Sequence, residues 1–270
     1  MNSDKLRQVA VVFGVVSMIV MNYLSNARLL GGQTNGDISN KYHTLITPAG
    51  YAFAIWGVIF LGLLAFAVYQ ALPSQRKNVR LRAVGWLVIL NTLCNAIWSP
   101  LFNNERIGTS VVVILIMFIS NLLILEGLLA RRRAVDVAIL PDDPIAEGPV
   151  SVLETWVARV PFAIYFGWIT IATILNITVY LKATNFNLAG ISEATWAAGM
   201  LVVSLVIGTI LFNRYRSVAY ILVFSWAYVA ISVEQKGEVG PIPSFAVAGA
   251  VVAALFAAWE LFGRKEPVYA

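Results

Sequence analysis

Eight stretches of this chain are apolar over most of their length, at about 8–27, 48–71, 83–102, 109–130, 157–180, 195–213, 217–233 and 242–263. A helix needs about 20 consecutive apolar residues to cross a bilayer. All eight reach or approach that length, and the seventh in order is the shortest. Backbone amides in hydrocarbon must be satisfied within the structure, so only helices and closed barrels cross membranes. Runs this long have helical dimensions. With 59% hydrophobic and 12% charged residues, against about 25% charged in soluble domains, no single aqueous core could hide the apolar surface. The expected fold is all-α: a polytopic membrane bundle of about eight transmembrane helices.

Charge supports the count. If all eight stretches cross, fourteen of the nineteen Lys and Arg residues fall on one side, in clusters such as Arg76–Arg82, Arg131–Arg133 and Arg214–Arg216. The other five are Arg28, Lys41, Arg106, Lys182 and Lys236. Cytoplasmic loops carry the excess of positive charge, so both termini are expected to be cytoplasmic. The pI near 9.4 then marks topology and does not point to nucleic acid. The first stretch has a basic flank but no small-residue cleavage site, and it reads as a retained helix. Cys94 is the only cysteine and His43 the only histidine, so an internal disulfide is excluded, and His43 lies in a loop.

Polar residues inside the apolar stretches are the informative ones, because a buried amide is costly without a partner. The third stretch carries Asn91, Asn95 and Trp98, roughly on one side of a helix by i, i+3 and i+4 spacing. The fifth carries Tyr165 and, at every fourth residue, Trp168, Ala172 and Asn176. Two faces of indole and amide are expected to meet. Trp56 lies inside the second stretch and reads equally as packing or as pocket wall. Gly50 and Ala54 form a small-residue step suited to a close helix contact. Asn121, alone at the centre of the fourth stretch, is expected to bond across helices. Glu126 is expected to stay at the interface near Arg131–Arg133.

Residues 25–47 are polar and glycine-containing, and read either as a lid over the outer end or as a mobile loop. Residues 134–155, with Asp136, Asp142, Asp143, Glu147 and Glu154 among prolines, read as a solvated loop. The last stretch has two small-residue ridges, Ala246-Ala250-Ala254-Ala258 and Gly249-Ala253-Ala257. They are suited to helix packing or, alternatively, to contact with another membrane protein.

These motifs resemble those of the TspO/translocator protein family, the tryptophan-rich sensory proteins or peripheral-type benzodiazepine receptors. Asn95 through Phe102 is similar to its Asn-x-x-Trp-Ser-Pro-Leu-Phe signature. Trp168 through Asn176 is similar to its Trp-x-Ser/Thr-x-Ala-Thr-x-Leu-Asn signature, and Tyr165 also agrees. Pro48, Phe53 and Trp56 resemble the start of its second helix. There the usual double proline is reduced to Thr47-Pro48, and a common tryptophan is replaced by Tyr51 or Phe53. The resemblance covers residues 8–180. It implies a TspO-like five-helix bundle over 1–182, with three additional transmembrane helices over 183–270. It also implies a ligand cavity toward the end where the first two helices connect, and members that bind porphyrins, sterols or synthetic aromatic ligands, often as dimers. The expected ligand-binding residues are Trp56, Asn91, Asn95, Trp98, Tyr165, Trp168, Ala172 and Asn176.

The expected function is binding of a flat apolar small molecule, a porphyrin or other tetrapyrrole or a sterol-like lipid, for sensing or transport. No resident cofactor is required; a tetrapyrrole or lipid is the candidate occupant. The alternatives are an uncoupled permease and a structural or assembly subunit of a larger membrane complex. Expected partners are membrane lipids, the ligand, and a homodimer or membrane-complex partner. No carboxylate sits at the centre of a stretch, as ion-coupled transporters usually require, and the sequence holds no P-loop. No catalytic triad or metal-ligand cluster is apparent, so an enzyme is not expected; redox or photochemical breakdown of a bound porphyrin through Trp98 or Trp168 is the one enzymatic alternative left open. A plasma or inner membrane is the expected location, with organelle and thylakoid membranes left open.

Overall fold

The computed structural model describes residues 3–129, 150–186, 190–237 and 240–263. The helices are α1 (Ser3–Asn26), a short α2 (Asn35–Lys41), α3 (Ile55–Ala71), α4 (Val79–Asn103), α5 (Ile107–Leu129), α6 (Val160–Ala183), α7 (Glu193–Tyr215), α8 (Val218–Glu234) and α9 (Ile242–Phe262). Among the described residues there are no strands. Among the same residues, seven helical segments are long and apolar enough to cross a membrane. The apolar helix α8, with 17 residues, is shorter, about 25 Å at 1.5 Å per residue. The chain is thus an integral, multi-pass membrane protein.

Helices α1, α3, α6, α5 and α4 pack in that order into a closed ring. Helix α8 lies against the outside of α6, α9 packs on α8, and α7 touches all three of α6, α8 and α9. Helix α6 is therefore enclosed on every side. Of its best 18-residue window 83% is buried, against 28% for α7 and for α9. This explains why Phe162, Tyr165, Phe166, Trp168 and Ile169 are all buried although they point in different directions.

Ion pairs show that successive membrane-length helices run antiparallel. At one end Arg80 meets Glu154, Arg82 meets Asp4, Arg214 meets Glu126 and Arg216 meets Glu260. At the other end Arg28 meets Asp37, Lys41 meets Glu105 and Lys182 meets Glu193, and the His43 ring lies 3.5 Å from the Glu234 carboxylate. The first end is the one rich in Lys and Arg, and it holds the start of α1 and the end of α9.

Local chemistry departs from expectation at several points. Glu154 is not solvated: its side chain is 3% exposed and accepts from Arg80 Nε at 2.6 Å and Asn78 Nδ2 at 3.1 Å. Its proline-rich neighbourhood hid this role; Asp136, Asp142, Asp143 and Glu147 lie outside the described residues. The chain turns helical at Val152, and a widened turn over Thr155–Arg159 leads into α6. That turn precedes Pro161, which lacks an N–H and crowds the turn before it. Glu126 pairs with Arg214 and Tyr215, whereas Arg131–Arg133 lie outside the described residues. Gly50 and Ala54 are exposed in a 3-10 turn, and a Cβ at Gly50 would meet nothing within 4 Å. Asn121 is fully buried, yet neither of its amide atoms finds a hydrogen-bond partner among the described residues.

The small residues of α9 are used within the chain. Ala246, Gly249, Ala250, Ala253 and Ala257 are buried, while Ala254 and Ala258 face outward. Ser225 Oγ on α8 donates to the Ala250 carbonyl at 2.9 Å. The two small-residue ridges are thus largely spent on packing within the chain, chiefly against α8.

Candidate functional site

The site begins with a polar stripe on α4. Asn91, Asn95, Ser99 and Asn103 recur every fourth residue and are all at most 1% exposed. Four residues advance a helix by about 400°, so such a stripe drifts about 40° per step. Each member therefore meets a different neighbour. Asn91 Nδ2 donates to Met117 O at 3.0 Å and Ser120 Oγ at 2.8 Å on α5. Asn95 Nδ2 donates to Tyr165 OH on α6 at 2.6 Å, and its Oδ1 accepts from Asn22 Nδ2 on α1 at 2.8 Å. Ser99 Oγ donates to Asn35 Oδ1 at the start of α2 at 2.9 Å, and Asn103 Nδ2 donates to Ser25 Oγ at 2.8 Å.

Beside this stripe lies an aromatic cluster. Trp56, one residue into α3, is its hub, with ring centroids 5.4 Å from Phe60, 6.1 Å from Tyr165, 6.3 Å from Trp98 and 6.4 Å from Trp168. Trp98 stacks on Phe102 at 5.1 Å, and Phe53 meets Trp168 edge-on at 6.2 Å. The Trp98 indole N–H donates to Asn176 Oδ1 at 2.9 Å, and Asn176 Nδ2 donates to Ser110 Oγ on α5 at 3.0 Å. The indole and amide faces of α4 and α6 thus meet directly.

Seven of the eight expected residues gather here: Trp56, Asn95, Trp98, Tyr165, Trp168 and Asn176 by direct ring contact or hydrogen bond, and Ala172 buried one turn from both Trp168 and Asn176 on the same stripe. Asn91 is turned toward α5 and ties helices together. Sequence reasoning missed Asn22, Asn35 and Ser110. Asn22 and Asn26, four residues apart at the end of α1, carried the same signal as the α4 stripe. Ser110 had none, since a serine in a helix often bonds its own backbone, as Ser110 also does to Ile107 O.

Two donors in the cluster are unused. The Trp56 and Trp168 indole N–H groups are buried and find no acceptor among the described residues. Tryptophan N–H groups usually find a partner when buried. The remaining groups offer amides, hydroxyls and flat apolar faces, chemistry for holding a molecule in one orientation.

The outer end above the cluster is covered. Thr34 caps α2 in a reciprocal box with Asp37, and Ile38 and Ile46 are buried beneath it. Glu105, between α4 and α5, accepts from Lys41 Nζ at 2.7 Å, Tyr42 OH at 2.6 Å and Gln33 Nε2 at 3.2 Å. These bonds, Lys41 first, hold its carboxyl at about 2, well below the usual range. Residues 25–47 therefore form a folded lid.

The segment that leads from the lid into α3 is strapped to α8. Ala49 N–H donates to Ala230 O at 3.0 Å, Trp226 Nε1 donates to Ala52 O at 3.2 Å, and Gln235 Nε2 reaches Thr44 O and Thr47 O at 3.3 Å. The Tyr51 and Trp226 rings meet edge-on at 5.2 Å.

A membrane helix ring with a buried tryptophan and amide centre, closed at one end by a lid, defines a class of multi-pass membrane helix bundles with a polar, aromatic core. The family model described as TSPO-like protein matches residues 8–259, and the chain belongs to that family. The match runs past residue 180, where the motif resemblance ended, and takes in α7, α8 and most of α9. Searches of curated proteins and of solved structures find no match.

Proposed function

We propose that this protein binds a flat, largely apolar molecule, a porphyrin or other tetrapyrrole or a sterol-like lipid, among α3, α4 and α6, in the service of sensing or transport. The observation that carries this reading is the pair of unused indole donors, Trp56 and Trp168, in one buried ring cluster. An unmet buried donor costs about 1–3 kcal/mol. A ligand with a carbonyl, carboxylate or hydroxyl acceptor recovers that cost. The rings now lie against one another, so a flat ligand enters by exchange, replacing the Trp56–Phe60 and Trp56–Trp98 contacts with its own faces. The amides of Asn95 and Asn176 hold Tyr165 and Trp98 in place and so keep the walls upright during the exchange.

This is a binding reading and not an enzymatic one: the groups present orient a molecule, and none is paired for proton transfer to it. Titration of the purified protein with protoporphyrin is expected to quench tryptophan emission saturably, and Trp56→Leu with Trp168→Leu to weaken binding at least tenfold. Unchanged emission at saturating porphyrin, with the protein folded, overturns the proposal. Ligand flux in proteoliposomes then separates transport from binding alone.

A further inference from the structure

A cleft lies away from the ring cluster. At the lidded end, the last turns of α6, the first turn of α7 and Thr44–Leu45 enclose a cleft of about 270 Å³. Leu45, Leu181, Ile191 and Trp196 supply apolar wall, and Lys182 and Glu193 stand in the same lining. The two charges face each other, Lys182 Nζ to Glu193 Oε2 at 3.0 Å, each side chain 46% exposed.

Three features decide what fits. The cleft is smaller than the roughly 300–1,000 Å³ of sites for drug-sized molecules, so it suits a headgroup-sized moiety. It opens where membrane-length helices end, the depth at which tryptophan and lipid headgroups are found. Its charges are one of each sign, held in an exposed pair of the kind worth only about 0–1 kcal/mol, and are readily redirected to a ligand. A molecule carrying both a phosphate and an ammonium satisfies both. The phosphate takes charge-assisted hydrogen bonds from Lys182. The ammonium meets Glu193 and the face of the Trp196 indole. A purely anionic headgroup would leave its charge against Glu193.

We propose that this cleft seats the headgroup of a zwitterionic phospholipid from the surrounding bilayer, phosphate on Lys182 and ammonium on Glu193 and Trp196. The site is separate from the ring cluster and stands or falls without it.

Native mass spectrometry of the delipidated full chain in detergent tests this with phosphatidylethanolamine, phosphatidylglycerol and soluble phosphoethanolamine. The ethanolamine lipid is expected to bind at least fivefold more tightly than the glycerol lipid. Glu193→Gln is expected to erase that preference, and Lys182→Gln to weaken both lipids. Trp196→Leu is expected to weaken the ethanolamine lipid alone. Soluble phosphoethanolamine is expected to bind far more weakly than the lipid. Equal retention of both lipids by the unaltered protein overturns the proposal, as does unchanged retention by the folded double variant Lys182→Gln/Glu193→Gln. Phosphoethanolamine binding as tightly as the lipid overturns the lipid as its source. Porphyrin quenching, read in the same variants, is expected to be unchanged.

Discussion

The five-helix ring and the α7–α9 group are held together by different means. Inside the ring, helices are joined by directional bonds between side chains: Asn22 to Asn95 to Tyr165, Trp98 to Asn176 to Ser110, Asn91 to Ser120. In the α7–α9 group, Gly208 receives the ring of Phe224, Gly249 that of Tyr228, and the alanines of α9 lie flat on α8. Lipid tails are as apolar as leucine, so helices in a membrane associate by close packing and hydrogen bonds and not by the hydrophobic effect. The ring relies mainly on side-chain amide bonds, and the second group mainly on small-residue packing, supplemented by the Tyr228–Ser204 and Ser225–Ala250 hydrogen bonds. Amide networks also leave polar groups that a ligand can use, while small-residue packing leaves none. The two unused indole donors lie in the ring, and the second group encloses α6.

The largest expected effect comes from the seam between the two. A methyl added at Gly167 on α6 would lie 2.8 Å from the Tyr220 carbonyl and 3.0 Å from Val223 Cβ. Backbone cannot swing aside, so Gly167→Val should cost about 3 kcal/mol by overpacking and loosen α8 from α6. A thermal melt in detergent reads the loss; a melt within 1 °C of the unaltered protein would show that the seam yields.

Next is the ring itself. Asn95→Leu removes the links to both Asn22 and Tyr165, at about 1–2 kcal/mol each by the upper range for such bonds in membranes. Porphyrin affinity should fall with stability. Lost stability with unchanged affinity would detach the network from the pocket.

In the second group Gly249→Ala should cost about 1 kcal/mol. The Tyr228 ring cannot retreat freely, because its hydroxyl is fixed to Leu201 O at 2.6 Å and Ser204 Oγ at 2.7 Å. Porphyrin binding should be untouched. A measurable change in affinity would break the division of labour between the groups.

The smallest effect is on the lid. The Glu105 carboxyl titrates at about 2 when folded, below its ordinary 4.5. Its contribution is thus full above pH 4.5 and is lost as pH falls from there through 2. Hydrogen-exchange protection of residues 33–42, corrected for intrinsic rates, should be flat from pH 8 to 5.5 and drop below 4.5. Glu105→Gln should lower protection throughout and flatten the acid drop. An equal acid drop in that variant would assign it elsewhere.

Much of this was legible in sequence, for physical reasons that differ by residue. Apolar run length and Lys/Arg asymmetry both reflect the bilayer, so the helices and their alternation could be read directly. Asn95, Trp98, Trp168 and Asn176 stood out because an amide in an apolar run demands a partner. Which partner was not legible, since the i+4 stripe drifts around α4 and sends Asn91 toward α5. Glu154 was obscured by its acidic, proline-rich surroundings, yet it folds inward to Arg80. The strap between α8 and residues 44–52 joins groups 174 or more positions apart. It uses mostly backbone atoms, so no side-chain pattern announces it.

That strap has a consequence for how the molecule is made. Chains fold largely from the N-terminus as they are synthesised. Residues 44–52 reach the membrane long before Trp226, Ala230 and Gln235 exist, and α1, α3, α4, α5 and α6 can all be in place by then. During that interval the peptide groups at Thr44, Thr47, Ala49 and Ala52 lack the partners that later hold them. The ring thus passes through a stage in which the approach to its tryptophans is unfastened, until α8 is translated and fastens it.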